Sequence, residues 1–271
     1  MDFSNIKTIL FDGDGVLWRA EEKISGFDHI FQILDQNHIQ WALLTNNNTK
    51  TVQNYIDKLA KFGIETDESK IFSSSTITVA YVKKHYGAGA SIFVVGMPAL
   101  IETLQTAGFN VYHGETAPPE KVNAVVSGMD RAITHNKIKV AMRLILAGAE
   151  FIATNTDSSF PTPEGINPGT GMVIGALIGT TNIQPTVIGK PASEIYLTAI
   201  EQLGASPDST IMIGDRLNTD IQGANIAGIK SVVVFSGVTS QEVYKESTIK
   251  ADAAYPSIAE LAQALEKSFH V

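Results

Sequence analysis

Residues 9–18 read Ile9-Leu10-Phe11-Asp12-Gly13-Asp14-Gly15-Val16-Leu17-Trp18, an apolar run that stops abruptly on two aspartates and their glycines. The run from Thr8 to Phe11 has the length and composition of a strand buried on both faces. Gly13 and Gly15 let the backbone turn sharply and let a ligand approach closely. Two carboxylates at the carboxyl end of a buried strand stand where open α/β sheets bind ligands. They repel each other, so a divalent metal, a shared proton or separation in solvent has to hold them. A polar strand end leading into a turn is the plainer alternative, and the rest of the chain weighs against it.

Outward from this strand the chain alternates short apolar runs with helical patterns. Trp41 to Leu44 is a second strand, ending in Thr45-Asn46-Asn47-Asn48-Thr49. One or two of these five side chains are expected to cap the helix that follows, from about Lys50 to Phe62. Five in a row exceed what one helix start needs. Thr45, Asn46 and Asn47, with helix N-terminal N–H groups, are therefore also candidates to bind an oxyanion. After a short edge strand, Ile71 to Ser73, the rhythm restarts. Helices are expected over Thr76–Tyr86, Pro98–Ala107, Asn136–Ala147 and Met172–Thr180. Strands are expected at Ser91–Val95, Asn123–Ser127 and Phe151–Thr154, and a loop from Asn155 to Gly171. These units predict a second, smaller α/β layer. Thr186 to Ile188 then leads into Gly189-Lys190-Pro191, and Thr210 to Ile213 runs into Gly214-Asp215-Arg216-Leu217-Asn218-Thr219-Asp220.

The composition narrows the function classes. The chain has 271 residues, 44% hydrophobic and 18% charged, ordinary for a globular protein with a substantial core. A net charge of -8 disfavours general nucleic-acid binding. With no cysteine there is no disulfide, thiolate metal site or thiol nucleophile. Met1 to Lys7 does not read as a secretory signal, and apolar segments such as Met172 to Ile178 are too short to cross a bilayer. The expectation is a cytoplasmic protein without membrane or nucleic-acid partners.

Asp12 with Asp14, Thr45 with Asn46, Lys190, and Asp215 with Asp220 each follow a short apolar strand. A parallel sheet would bring all four strand ends to one edge. Together they hold the parts that phosphoryl transfer needs. Asp12 and Asp215 offer oxygen ligands for Mg2+, Lys190 a fixed positive charge, and Thr45 and Asn46 hydrogen bonds to phosphoryl oxygens. A carboxylate can itself be the nucleophile. Trp18 reads as packing near this site, and Arg216 either pairs with a carboxylate or stays solvated.

In this order, DxDG, a strand-terminal Thr, a Lys and GDxxxxD, the chain resembles the haloacid dehalogenase (HAD) superfamily over essentially its full length. The resemblance implies a doubly wound, Rossmann-like parallel-sheet core, residues 1–75 plus 182–271, with an inserted smaller α/β cap of the C2 type, residues 76–181. It implies a phosphatase in which Asp12 is the nucleophile. Asp14 would protonate the leaving oxygen and later activate water. Mg2+ would be held by the carboxylates of Asp12 and Asp215 and the backbone carbonyl of Asp14. Asp220, with Asn218 in the same turn, would stand behind these ligands and hold the loop or Lys190; capping the helix at Ile221 is an equal alternative for Asp220. The segments Val-Val-Ser-Gly-Met-Asp at 125–130, Ala-Thr-Asn-Thr-Asp at 153–157 and Phe-Pro-Thr-Pro-Glu-Gly with Pro-Gly-Thr-Gly at 160–171 are similar to the NagD-like, 4-nitrophenylphosphatase branch. That branch includes phosphoglycolate and pyridoxal phosphatases. Phe160 stands where pyridoxal phosphatases carry a His, which argues against vitamin B6 phosphate. Asp157 and Phe160 are candidates to face the substrate, loop capping and packing being equally good readings. The expected partner is a small phosphorylated metabolite, and the resemblance leaves open a homodimer through the cap. The rival functions are a phosphomutase or phosphotransferase using the same Asp12, and a non-catalytic phosphometabolite-binding protein.

Overall fold

The computed structural model describes residues 1–162 and 165–269. Pro163 and Glu164, inside the motif quoted at 160–171, and the terminal His270 and Val271 lie outside the described residues. The chain divides into two compact units, residues 1–45, 56–72 and 190–271 in the first and residues 46–55 and 73–189 in the second.

The first unit is built on a six-stranded sheet in the order Ala253–Tyr255, Lys230–Val234, Thr210–Gly214, Thr8–Phe11, Gln40–Thr45 and Ile71–Ser73. The first five of these pair in parallel. Thr8–Phe11 is central, with Phe11 level with Ile213 on one side and Leu43 on the other. Its four residues are all buried, as are the five of Thr210–Gly214. The continuous apolar text of these strands is what a sheet covered on both faces requires. The chain moves from the central strand to Gln40–Thr45 on one side and later returns to Thr210–Gly214 on the other, so the strand order reverses beside Asp12. Such a reversal opens a crevice at the carboxyl ends of the strands. The Phe27–Gln36 helix buries Phe27, Ile30, Phe31, Ile33 and Leu34, one stripe at helical spacing. The Ile258–Phe269 helix buries Ile258, Leu261, Ala262 and Leu265 in the same way.

The second unit has its own five-stranded parallel sheet, in the order Thr186–Val187, Glu150–Ala153, Ala124–Ser127, Ser91–Val95 and Asn110–His113. Phe93, Val125, Val140, Phe151, Val173 and Leu177 are among the residues of its core. The Ser74–Tyr86 helix starts on a reciprocal capping box between Ser73 and Thr76. Among the described residues no helix is long and apolar enough to cross a membrane.

Several expectations are corrected here. The strand before Lys190, Thr186–Val187, pairs with Glu150–Ala153 in the second unit's sheet, not with the strands that end at Asp12, Thr45 and Asp215. Three strand ends, not four, therefore share the main sheet. The stretch from Asn155 to Gly171 is not all loop: Ser159–Thr162 and Gly165–Pro168 pair antiparallel. Asn110–His113 and Ala253–Tyr255 are strands that hydrophobic patterning missed. These segments are largely exposed or half-buried, so backbone pairing rather than an apolar face defines them. At the start of the helix at 52–61, the Thr51 hydroxyl accepts from Asn54 N at 3.3 Å.

Candidate active site

Asp12 continues the central strand by one residue, its N–H donating to Ile213 O at 2.9 Å. Strand pairing thus fixes its backbone on the sheet's carboxyl edge. Lys190, only 2% exposed, donates from Nζ to Asp12 Oδ1 at 2.7 Å and to Leu44 O at 2.9 Å. The same ammonium lies 2.7 Å from Asp220 Oδ1. Burial pulls the Lys190 pKa down, but the charges of Asp12 and Asp220 more than offset this, and the net direction is up. Lys190 is a permanent cation.

Asp220 has no exposed surface, and its Oδ2 accepts from Asp215 N at 3.1 Å and Arg216 N at 3.0 Å. Its carboxylate holds the loop that precedes it and pairs with Lys190, so it does not cap the helix that follows. The Leu217–Ile221 segment is a π-turn, and Tyr196, buried beneath it, donates its hydroxyl to Asp220 O at 3.0 Å. Asn218, in the same turn, is exposed.

Asp215 follows the Thr210–Gly214 strand and is 1% exposed. Its Oδ2 accepts from Val238 N at 2.7 Å. A second loop therefore aims this carboxylate, and it does so at very close range. A Cβ on Gly237 would lie 1.9 Å from Asp215 Oδ2, and one on Gly15 2.6 Å from it. Gly15 also has φ +87°, a conformation that disfavours side chains. Ser236 Oγ donates to Gly15 O at 2.7 Å and ties the two loops together.

Asp12, Asp215 and Asp220 each present an oxygen within 4.8 Å of the others. If all three were ionised, three carboxylates against one ammonium would leave two negative charges in excess in a buried space, a repulsion that a divalent cation or a bound proton has to relieve. Loss of solvent pushes the Asp12 carboxyl up to about 8, with Lys190 opposing and Asp220 and Asp215 adding to the rise. Burial and Asp220 push Asp215 up to about 7. Asp215 Oδ1 is buried with no hydrogen-bond partner among the described residues. An orphaned carboxylate oxygen, the excess of two negative charges on full ionisation and an all-oxygen donor set fit a divalent cation. Asp220 is the least available of the three, since its oxygens already engage Lys190 and two backbone N–H groups.

Asp14 lies outside the buried cluster and is exposed to solvent. Its Oδ1 accepts from Trp18 Nε1 at 3.1 Å. Surrounding protein raises its pKa and Lys58 opposes the rise, while the remaining contact with solvent tempers both effects. Trp18 is 1% exposed, so it does pack, but its indole also reaches an Asp of the motif. Thr45 is buried at the end of its strand.

Asn46 and Asn47 belong to the second unit. Asn46 Nδ2 donates to the Asp157 carboxylate at 3.3 Å, and its carbonyl accepts from Ser74 Oγ and Asn155 Nδ2, both at 2.8 Å. Asn47 Oδ1 accepts from Thr49 N at 2.9 Å in a local turn. Asn48, 1% exposed, accepts from Met129 N and donates to Thr154 Oγ1. These amides therefore build the second unit. Phe160 lies under the Arg131 guanidinium, 5.9 Å from the ring centroid.

The sequence reading passed over Val238, Gly237, Lys58 and Tyr196. Ser236-Gly237-Val238 follows the Lys230–Val234 strand, so the same strand-end rule that found Asp12 and Asp215 would have found it. Tyr196 and Lys58 sit on helices and carry no such signal.

Comparison with known proteins agrees with this geometry. A family profile described as haloacid dehalogenase-like hydrolase matches residues 9–110, and a HAD-hydrolase-like profile matches residues 187–261. The chain is 35% identical over 260 residues to the dihydroxyacetone phosphatase of Corynebacterium glutamicum, covering 96% of this chain and 92% of that protein. It is 33% identical over 254 residues to the 5'-nucleotidase YutF of Bacillus subtilis, covering 94% and 96%. The solved 4-nitrophenylphosphatase of Thermotoga maritima superposes with a TM-score of 0.90 at 28% identity, covering 97% of this chain and 98% of that one. With its motif order, its two parallel sheets and relatives matched along nearly their whole length, the chain belongs to the haloacid dehalogenase-like hydrolase family.

Proposed function

We propose that this protein is a Mg2+-dependent phosphatase that hydrolyses small phosphomonoesters in the cytoplasm through a covalent phosphate on Asp12. The observation that carries it is the buried cluster of Asp12, Lys190, Asp215 and Asp220, with one Asp215 oxygen left without a partner among the described residues. Dihydroxyacetone phosphatase and 5'-nucleotidase among the relatives support small organic phosphates as the substrate class.

The carboxylates of Asp12 and Asp215, with the backbone carbonyl of Asp14, would hold Mg2+. When bound, the ion would neutralise phosphoryl oxygens and offset the excess negative charge. Lys190 holds Asp12 Oδ1, which leaves Oδ2 to attack phosphorus as the ester oxygen departs. Asp14 gives that oxygen its proton. It then takes a proton from water, which attacks the phosphorus of the aspartyl phosphate, releasing inorganic phosphate and restoring Asp12. Thr45 and Lys190 would stabilise the charge on the phosphoryl oxygens. The Asn46 and Asn47 side chains are engaged within the second unit, and we give them no share in the step. Asp220 keeps Lys190 and the 215–216 backbone in place, and the exposed Asn218 has no comparable task. We assign the second unit, residues 46–55 and 73–189, as a C2 cap in place of residues 76–181 alone, because its separate sheet takes in Thr186–Val187, and the first unit as the catalytic core.

The test is inorganic phosphate release by the full chain, without added acceptor. The panel is 4-nitrophenyl phosphate, dihydroxyacetone phosphate, phosphoglycolate, sugar phosphates and nucleoside monophosphates, each with Mg2+ or with excess EDTA. Hydrolysis that needs Mg2+ is expected. No release from any substrate, or full activity in EDTA with no metal bound, would overturn the proposal.

A further inference from the structure

We infer that Trp18 is a positioning residue that fixes which oxygen of Asp14 carries the transferable proton, an inference that rests on the role proposed for Asp14. The backbone between them is closed into a tight loop. Gly13 O accepts from Leu17 N at 2.9 Å, Gly15 N donates to Trp18 O at 2.8 Å, and Asp14 and Trp18 form a β-bridge. This brings the Trp18 indole N–H to 3.1 Å from Asp14 Oδ1.

The chemistry of the pair is one-sided. An indole N–H donates and never accepts. The oxygen it faces must therefore be an acceptor whether Asp14 is ionised or protonated. The carbonyl oxygen of a carboxylic acid accepts more strongly than its hydroxyl oxygen, so a hydrogen bond from the indole N–H to Oδ1 favours the proton on Oδ2. The same hydrogen bond holds the carboxyl plane, so Oδ2 keeps one direction through both half-reactions. Asp14 has to give a proton in the first step and take one in the second, and a fixed Oδ2 serves both.

The indole is itself clamped. Its ring lies 6.2 Å from that of Phe62, and the Lys58 ammonium sits 4.8 Å from the ring centroid. Lys58 is anchored by donating to Ala20 O. A Cβ on Gly13 would lie 2.5 Å from the Trp18 ring, so the absence of a side chain at residue 13 makes room for it. An aromatic residue needed only for packing would not have to present its one polar atom to an otherwise exposed carboxylate.

The test uses Trp18→Phe, which keeps an aromatic ring and removes the donor. A second variant carries 3-benzothienylalanine at position 18, which keeps the bicyclic shape and replaces N–H by sulfur. Both are assayed with 4-nitrophenyl phosphate, whose leaving group hardly needs a proton, and with benzyl phosphate, of similar size, whose leaving group does. General acid catalysis is typically worth about 10²–10⁴-fold, and mispositioning forfeits part of it. The expected result is a fall in kcat/KM of about 10-fold or more for benzyl phosphate and less than about 3-fold for 4-nitrophenyl phosphate. Equal losses on both substrates in the benzothienyl variant would show a packing role and overturn the inference, as would no loss on either. Because the benzothienyl variant preserves the packing, misfolding of Trp18→Phe leaves the decision with it. If the unaltered protein cleaves neither ester, the proposed phosphatase reading falls first, and the role of Trp18 with it.

Discussion

Asp220→Asn isolates the buried charge pair from the rest of the site. The substitution keeps the side-chain volume and one oxygen that can still accept from the N–H groups of Asp215 and Arg216. It turns the atom 2.7 Å from Lys190 from a charged acceptor into an amide donor. At that separation the gross Coulomb attraction is on the order of 6 kcal/mol in an effective dielectric of about 20. The net loss is smaller, because desolvation already offsets much of it and because Asp12 and Leu44 O still accept from Lys190. Removing one partner of a buried pair costs about 3–5 kcal/mol, and the shared ammonium puts this case near 3 kcal/mol. In a chain of this size that corresponds to a fall in Tm of roughly 6–12 °C. The assay is thermal unfolding by circular dichroism, joined to a double-mutant cycle with Lys190→Met. Coupling of about 1–3 kcal/mol is expected. A loss below about 1 kcal/mol for Asp220→Asn, or additive effects in the cycle, would refute the account of Lys190 as a cation held between two carboxylates.

The two aspartates of the DxD motif are separable by intact mass after acid quench. Asp14→Asn is expected to accumulate phosphate on Asp12 during turnover of 4-nitrophenyl phosphate, and Asp12→Asn to show none; phosphate on another residue would contradict the assignment of the nucleophile. Mg2+ at about 100 times its Kd is expected to stabilise the protein by about 2.7 kcal/mol, read as a rise in Tm that EDTA reverses; an unchanged Tm would count against the metal site. Gly237→Ala places a Cβ 1.9 Å from Asp215 Oδ2 and has to displace it. A tenfold or greater loss of kcat/KM is expected with a stability cost of about 1–3 kcal/mol, and unimpaired turnover would show that the loop gives way instead.

The strand ends at Asp12, Thr45 and Asp215 were legible in the sequence because each follows an apolar run too short for a helix and too continuous for an exposed strand. In a parallel sheet such runs end on one edge, so the chemistry at that edge could be read without coordinates. The DxDG, Thr, Lys and GDxxxxD order placed the chain in its family for the same reason. Lys190 was legible as a residue but not in its route. Its preceding strand looks like the others, yet it pairs with Glu150–Ala153, and strand partners are chosen by contacts that no local pattern encodes. The Asn46 and Asn48 amides show a related limit: an amide states that hydrogen bonds will form, not with what, and their observed partners, Asp157, Thr154 and Met129, lie far away in the chain. The edge strands at 110–113 and 253–255 are held by backbone pairing with little burial, so hydrophobic periodicity was silent about them. Only the tertiary structure brought the Val238 N–H to Asp215 and Asp220 to Lys190, because each contact needs placement to within a few tenths of an ångström between elements whose separation in sequence sets no such distance.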